Sequence, residues 1–329
     1  MLISIAIPCY RSEKNLEPVV AEIKGEFAKH PEHDYQIILV NDGSPDHTDE
    51  VIRRICERDH KIVGVLLSRN FTQQNAKMAS LRYVAGDVLV FMDDDGQHPA
   101  DGIFKLVDKI NDGFDVVYAD FTQKKQSKLR ILADKLFYVF SEVMKTRPKG
   151  IKTSSFVAYS RFAVSVLMQY TSPNPSPGRY VFTITTKIAN VEFPHRERLS
   201  GRSGYNLKKS IELAITSLTN FTIVPLRIIN YIGFISTLAG AISGMVFIIR
   251  KLFFDIDLSS NTSNTAAILF VGGLILISLG LVGEYIGRIY MILSNKQQFV
   301  IRETINEKNA LIAPADEIAS REGHNNGKI

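Results

Sequence analysis

Five short apolar runs punctuate the first part of the chain: "LISIAI" (2–7), "QIILV" (36–40), "IVGVLL" (62–67), "VLVFM" (88–92) and "DVVYA" (115–119). Each is continuous rather than alternating, as suits a strand buried on both faces. Helical patterns at about 14–29, 48–59, 73–84 and 100–111 separate them. Parallel strands need a crossover connection, and a helix usually supplies it. The alternation therefore predicts an α/β fold with an open, mainly parallel sheet. Ligands of such sheets bind beyond the carboxyl ends of the strands. The polar stretches that follow the runs are then the places to look for function: "PCYRSE", "NDGSPD", "SRNFTQQNA" and "DDDGQHP".

The last of these sets Asp93, Asp94 and Asp95 side by side after "VLVFM". Carboxylates this close raise one another's pKa, and a helix cap or turn needs only one. If extended geometry persists past the strand, Asp93 and Asp95 share a face and Asp94 points away. Two carboxylates on one side suit a hard divalent cation, Mg²⁺ or Mn²⁺, of the kind shared with substrate phosphates. An Asp-rich turn would use the same residues. In "VNDGSPDHT", Asp42 ends the second run and is placed to accept hydrogen bonds from a ribose or a base, while Asp46 or Thr48 caps the next helix. In "IPCYRSE", Tyr10 is placed to flank a base and Glu13 to bond to it; Glu13 equally suits the first turn of a helix. "HRERLSGRSGYNLKK" gathers Arg196, Arg198 and Arg202 with Ser203 and Tyr205 among glycines. Guanidinium forks match phosphate geometry, and a juxtamembrane stretch touching lipid headgroups has the same composition. His98 reads as a loop residue rather than a ligand.

The net charge is only +5, so its distribution matters more than its sum. Residues 121–161 carry ten basic residues against Asp134 and Glu142, with apolar residues at helical spacing over about 128–145. That pattern fits an amphipathic helix on an anionic membrane surface, or a packed helix with a solvated basic face. A second amphipathic helix is expected at about 206–220. Residues 228–249 and 266–287 are each long and apolar enough to cross a bilayer, which takes about 20 residues. A short polar loop joins them, so both outer ends fall on one side, and flanking basic residues make that side cytoplasmic. No nucleic-acid motif, P-loop or GxSxG is present, and nucleic acid is not an expected partner. Cys9 and Cys56 stand in unrelated contexts and read as reduced thiols. The first residues lack the basic flank of a signal peptide and read as a first strand.

Taken in order, "IPCYRSE", "VNDGSPDHT", "SRNFTQQNA", "GDVLVFMDDDGQHP", "RLSGRSGY", "PLRI" and "GEYIGRIY" resemble glycosyltransferase family 2. The closest likeness is to the polyprenyl-phosphate glycosyltransferases, which include dolichol-phosphate mannose synthases and undecaprenyl-phosphate sugar transferases. The resemblance implies a GT-A catalytic domain over 1–205, a juxtamembrane helix at 206–225, two transmembrane helices within 226–292 and a polar cytoplasmic tail at 293–329. It implies that Pro8, Tyr10, Glu13 and Asp42 hold the nucleotide and that Asp93, Asp95 and Gln97 surround the metal. Arg198, Arg202, Ser203 and Tyr205 would contact phosphates. The implied reaction is inverting transfer of a sugar from a nucleotide-diphospho-sugar to a polyprenyl phosphate at the inner membrane. UDP-sugars are favoured and GDP-mannose is an alternative, with the lipid bilayer and a further copy of the chain as partners. Two departures stand out. Gly96 replaces the Leu of many relatives, and "TSSFVAYS" has Ser where some carry an acid proposed as a base, leaving Asp94 or Asp120 for that role. A processive polysaccharide synthase would be expected to carry a Trp-containing motif, and this chain has no tryptophan. A catalytically inactive nucleotide-sugar scaffold would not need both the aspartates and the arginine loop.

Overall fold

The computed structural model describes residues 1–121, 150–194 and 297–307, the backbone of 261–293, and scattered helical residues between 231 and 253. It divides into two compact units, one formed by 1–203 with 296–329 and the other by 204–295.

The first unit begins β1 (Leu2–Cys9), α1 (Leu16–Phe27), β2 (Asp34–Asn41), α2 (Thr48–Arg58), β3 (Ile62–Leu67), α3 (Gln73–Ser80), β4 (Val88–Phe91), α4 (Gly102–Asn111) and β5 (Val116–Phe121). All five expected strands and all four helical patterns are present. After residue 149 come β6 (Val157–Ser160), α5 (Arg161–Met168), α6 (Pro177–Ile184), β7 (Ile188–Phe193) and, much later, β8 (Ile301–Ile305). Local signals account for the helix starts: Ser160 accepts a bond from the Ala163 amide ahead of α5, and Pro177 opens α6, where its missing N–H costs nothing.

The eight strands form one sheet in the order β7-β5-β6-β4-β1-β2-β3-β8. The pairs β1–β2, β1–β4, β2–β3 and β5–β7 are parallel, while β6 runs antiparallel to β4 and β5, and β8 antiparallel to β3. The central strands are apolar on both faces because both are covered. Ile3, Ile5 and Ile7 of β1 are fully buried and pack with Leu16, Val19, Val20 and Ile23 of α1 and with Ile103, Leu106 and Val107 of α4. Between β4 and β1 the winding of the sheet reverses, and the crevice at the carboxyl ends of those strands is where such folds take ligands.

The tail expected from 293 onward needs correcting. Residues 301–305 are the edge strand β8, with Gly64↔Ile305 and Val65↔Thr304 in register. Asn306 Nδ2 donates to the carbonyls of Cys56 and Ile62, both at 2.9 Å, and Tyr83 Oη meets Thr304 Oγ1 at 2.8 Å. Arg53 and Glu303 form a two-pronged ion pair at 2.5 and 2.7 Å. Backbone pairing to the otherwise open edge of β3 outweighs the polar composition of "IRETI".

In the second unit, α7 (Asn261–Leu293) is a continuous helix of 33 residues containing the second expected span. Along it Ile268, Leu279, Ile286 and Leu293 are each more than half exposed. Among the described residues no helix is long and apolar enough to cross a membrane. The basic helix expected at about 128–145 and the juxtamembrane helix at 206–225 lie outside the described residues.

Candidate active site

The chain leaves β4 after Phe91, and the aspartates lie in the turn beyond it rather than in extended strand. The two-residue period expected to pair Asp93 with Asp95 therefore stops short of them. Gly96, at φ +73°, takes the left-handed conformation that glycine adopts at no steric cost, and the turn closes there. The three carboxylates fan out to three sets of partners. Asp93 Oδ1 accepts from Gln73 Nε2 at 2.9 Å and Oδ2 from Ser155 Oγ at 2.5 Å. Asp94 Oδ2 accepts from the Ser12 hydroxyl and, at 3.4 Å, from the Tyr10 amide. Asp95 Oδ1 accepts from the Gln97 amide at 3.0 Å. Burial pushes the Asp94 carboxyl up to about 6, against the pull of the Ser12 hydroxyl.

Sheet topology brings these partners together. β1 and β4 are adjacent and parallel, so the loop after Cys9 meets the turn after Phe91. β6 is antiparallel to β4 with Val157 opposite Phe91, which sets the residues before β6, Ser155 among them, beside the same turn. α3 contributes Gln73 from its first turn.

The β1 and β2 loops are tied to each other as firmly. The Ser12 amide donates to Thr48 Oγ1 at 2.9 Å, the Arg11 amide to Ser44 Oγ at 3.1 Å, and the His47 amide to Glu13 Oε2 at 3.2 Å. Glu13 thus braces the β2–α2 loop. Thr48 Oγ1 donates in turn to Asp46 Oδ1 at 2.7 Å. Asp42 is only 3 % exposed, and its Oδ1 accepts from the Phe71 amide at 2.7 Å. Burial raises its pKa, while the amides of Phe71 and Thr72 pull it down. Asp42 therefore anchors the β3–α3 loop. Thr72 in that loop sits at φ +90°, ψ +152°, a conformation close to glycine-only and costing roughly 1–3 kcal/mol in a β-branched residue. Of the residues expected at the nucleotide, Pro8 is buried and Tyr10 stands 45 % exposed at the mouth of the crevice.

The sequence reading did not place four residues of the cluster beside Asp93, and it took His98 for a plain loop residue. His98 is 6 % exposed, stacked on Phe156 with ring centroids 4.9 Å apart. Its Nδ1 accepts from the Asp93 amide at 2.9 Å, which assigns the proton to Nε2, facing Ser155 Oγ at 3.4 Å. Burial lowers its pKa, against the pull of Asp93 and Asp95. Gln73, Lys77 and Ser155 complete the surroundings of Asp93. A histidine four residues beyond a carboxylate triplet is a weak cue, and the other three come from distant segments. Asp120, one of two acids considered for a base, is instead paired with Lys152 at 2.7 Å. Arg198, Arg202, Ser203 and Tyr205 lie outside the described residues.

Among the described residues no group of three His, Cys, Asp or Glu side chains is arranged to hold a metal ion. The side chains expected to hold the metal, Asp93, Asp95 and Gln97, would offer hard oxygens, a donor type that suits a Mg²⁺ or Mn²⁺ keeping waters and substrate phosphates as its other ligands and not a cation bound in an all-protein cage.

Comparison with known proteins identifies the family. Residues 4–167 match Glycosyl transferase family 2, and residues 224–289 match the GtrB C-terminal hairpin. The chain is 31 % identical over 316 residues to the undecaprenyl-phosphate 4-deoxy-4-formamido-L-arabinose transferase of Pectobacterium atrosepticum, covering 94 % of this chain and 95 % of that one. It is 29 % identical over 305 residues to the SfII prophage-derived bactoprenol glucosyl transferase of Shigella flexneri, covering 92 % and 98 %. A more distant likeness, with TM-score 0.48 and 20 % identity over 66 % of this chain and 76 % of the other, is to glucosyl-3-phosphoglycerate synthase from Mycobacterium tuberculosis solved with Mn²⁺, UDP and phosphoglyceric acid. With the parallel sheet, the carboxylate turn and a match along nearly its whole length, the chain belongs to glycosyltransferase family 2 and has that family's GT-A-like α/β fold.

Proposed function

We propose that this enzyme transfers a sugar from a nucleotide-diphospho-sugar, a UDP-sugar in the first instance, to a polyprenyl phosphate at the cytoplasmic face of a membrane, with inversion. The observation that carries the proposal is the aspartate turn at the carboxyl end of β4, held by side chains from three other segments at the point where the sheet reverses its winding. A site so built can receive a diphosphate with its cation. The named acceptors of the relatives, undecaprenyl phosphate and bactoprenol, give the acceptor class.

In this reading Pro8, Tyr10, Glu13 and Asp42 shape the nucleotide pocket. Tyr10 supplies an exposed ring, and Asp42 and Glu13 act by fixing the loops on either side of it. Asp93, Asp95 and Gln97 hold the divalent cation, which when bound offsets negative charge on the departing nucleoside diphosphate. Arg198, Arg202, Ser203 and Tyr205 take phosphates of donor or acceptor. The bond from the anomeric carbon to the diphosphate oxygen breaks, its electron pair leaving with the diphosphate. A bond from the same carbon to an acceptor phosphate oxygen forms on the opposite face. The attacking oxygen is already anionic, so no proton needs removing. That agrees with a serine at position 155, with Asp94 engaged by Ser12 and with Asp120 engaged by Lys152. Residues 228–249 and 266–287 would anchor the enzyme to the bilayer that holds its acceptor, and the exposed apolar residues along α7 support this.

The test is transfer of radiolabelled sugar into an organic-soluble lipid, using a panel of UDP- and GDP-sugars with a short-chain polyprenyl phosphate. Asp95→Ala should abolish transfer while the protein still enters membranes. Undiminished transfer would overturn the metal assignment, and a panel with no lipid product would overturn the acceptor.

A further inference from the structure

Lys77 is the only buried lysine or arginine among the described residues, at 5 % exposure. It lies one turn beyond Gln73 on α3, so the two side chains follow the same face of the helix toward the aspartate turn. Gln73 reaches Asp93 directly. Lys77 Nζ donates to the Ser155 carbonyl at 3.3 Å, and the hydroxyl of that same Ser155 donates to Asp93. The ammonium also lies 5.0 Å from the ring centroid of Phe91, two residues before Asp93. One long hydrogen bond and one ring face are sparse partners for a buried ammonium with three protons. What favours its charge is the aspartate cluster beside it: burial lowers the amine's pKa, and Asp93 draws it back up.

We propose that Lys77 is a built-in counter-cation of the aspartate turn and lowers the site's intrinsic affinity for a divalent ion. The inference rests on the metal reading above and extends it. A positive charge on Lys77, linked to Asp93 through Ser155, offsets part of the negative charge of the triplet. The empty site then holds a free cation weakly, and the diphosphate of the donor restores the missing negative charge. Metal and donor therefore load together, and the enzyme does not wait with a tightly bound ion.

The experiment measures Mn²⁺ binding to the full-length protein in detergent, without nucleotide, from the electron paramagnetic resonance signal of the free ion. Wild type is compared with Lys77→Met and Lys77→Gln. Met fills the volume without charge, and Gln removes the charge but keeps a donor for the Ser155 carbonyl. Both should bind Mn²⁺ about tenfold more tightly or better, as expected for removing a like charge at close range in a partly buried site. Unchanged or weaker binding by both overturns the proposal while leaving the metal site standing. Tighter binding by Met alone also overturns it, because packing and not charge would then be responsible. No Mn²⁺ binding by any of the three proteins would overturn the metal reading itself. A thermal melt of each variant checks folding, and Gln decides the matter where Met fails to fold.

Discussion

Gly43→Ala should damage this protein far more than an alanine at a turn glycine normally does. Gly43 sits at φ +62°, which costs an L-residue roughly 1–2 kcal/mol. The larger effect is steric. A Cβ at this position would lie 2.4 Å from the Arg69 carbonyl carbon and 2.5 Å from the Asn70 nitrogen. Carbon contacts are comfortable near about 3.5–4.0 Å, and both neighbours are main chain, so no side chain can swing aside. The β3–α3 loop must retreat by about 1 Å to reach such a contact distance. That loop carries the Phe71 amide bonded to the buried Asp42 carboxylate at 2.7 Å, and weakening that bond adds about 1–3 kcal/mol. The sum is about 2–5 kcal/mol. Gly113→Ala is the control, since φ is +97° there but nothing lies within 4 Å of the added carbon. Only the backbone cost of roughly 1–2 kcal/mol should appear. In a catalytic unit of this size, 1 kcal/mol moves the melting temperature by about 2–4 °C, so the two variants should separate clearly in a denaturant or thermal series. UDP binding, read by calorimetry, should weaken in Gly43→Ala and not in Gly113→Ala. Equal losses of stability in the two variants would refute the close-approach argument.

His98→Leu keeps an apolar side chain against Phe156 but removes the acceptor of the Asp93 amide; it should cost about 1–3 kcal/mol in denaturant unfolding and lower transfer activity. A loss of activity with unchanged stability would show that the ring contributes something other than this bond. At the β8 edge, Asn306→Ala frees two carbonyls and should cost about 1–2 kcal/mol. Arg53→Met breaks the more conspicuous contact, yet both partners are 41 % exposed, so the loss should stay within about 1 kcal/mol. The reverse ranking in paired unfolding curves would contradict this reading of the edge.

The runs that became β1 to β5 were legible because a strand covered on both faces must be apolar at every position, and few other structures demand that. The positions of Asp42 and the aspartate triplet followed from the same logic, since residues at strand ends are fixed once the strands are. What each aspartate touches was not legible. That depends on Gly96 ending the extended conformation and on β6 lying antiparallel beside β4, a pairing between segments some seventy residues apart in sequence. Ser155 reaches Asp93, and Lys77 reaches Ser155, only through that pairing and the packing of α3. β8 was missed for a related reason: five residues of mixed polarity carry no periodic signal, and what makes them a strand is an unfilled edge more than two hundred residues earlier in the chain.

That edge strand also imposes a rule of parity. The chain leaves the first unit after residue 203 and rejoins it at 296, where β8 pairs with β3. A strand cannot pair with a neighbour on the far side of a bilayer. Any membrane crossings made by residues 204–295 must therefore be even in number for the sheet to close. A chain inserted with one crossing, or with a helix skipped, would strand β8 outside and leave the edge of β3 open to proteases and to other chains. The last strand of the catalytic sheet can thus join β3 only when the chain before it has returned to the side from which it left.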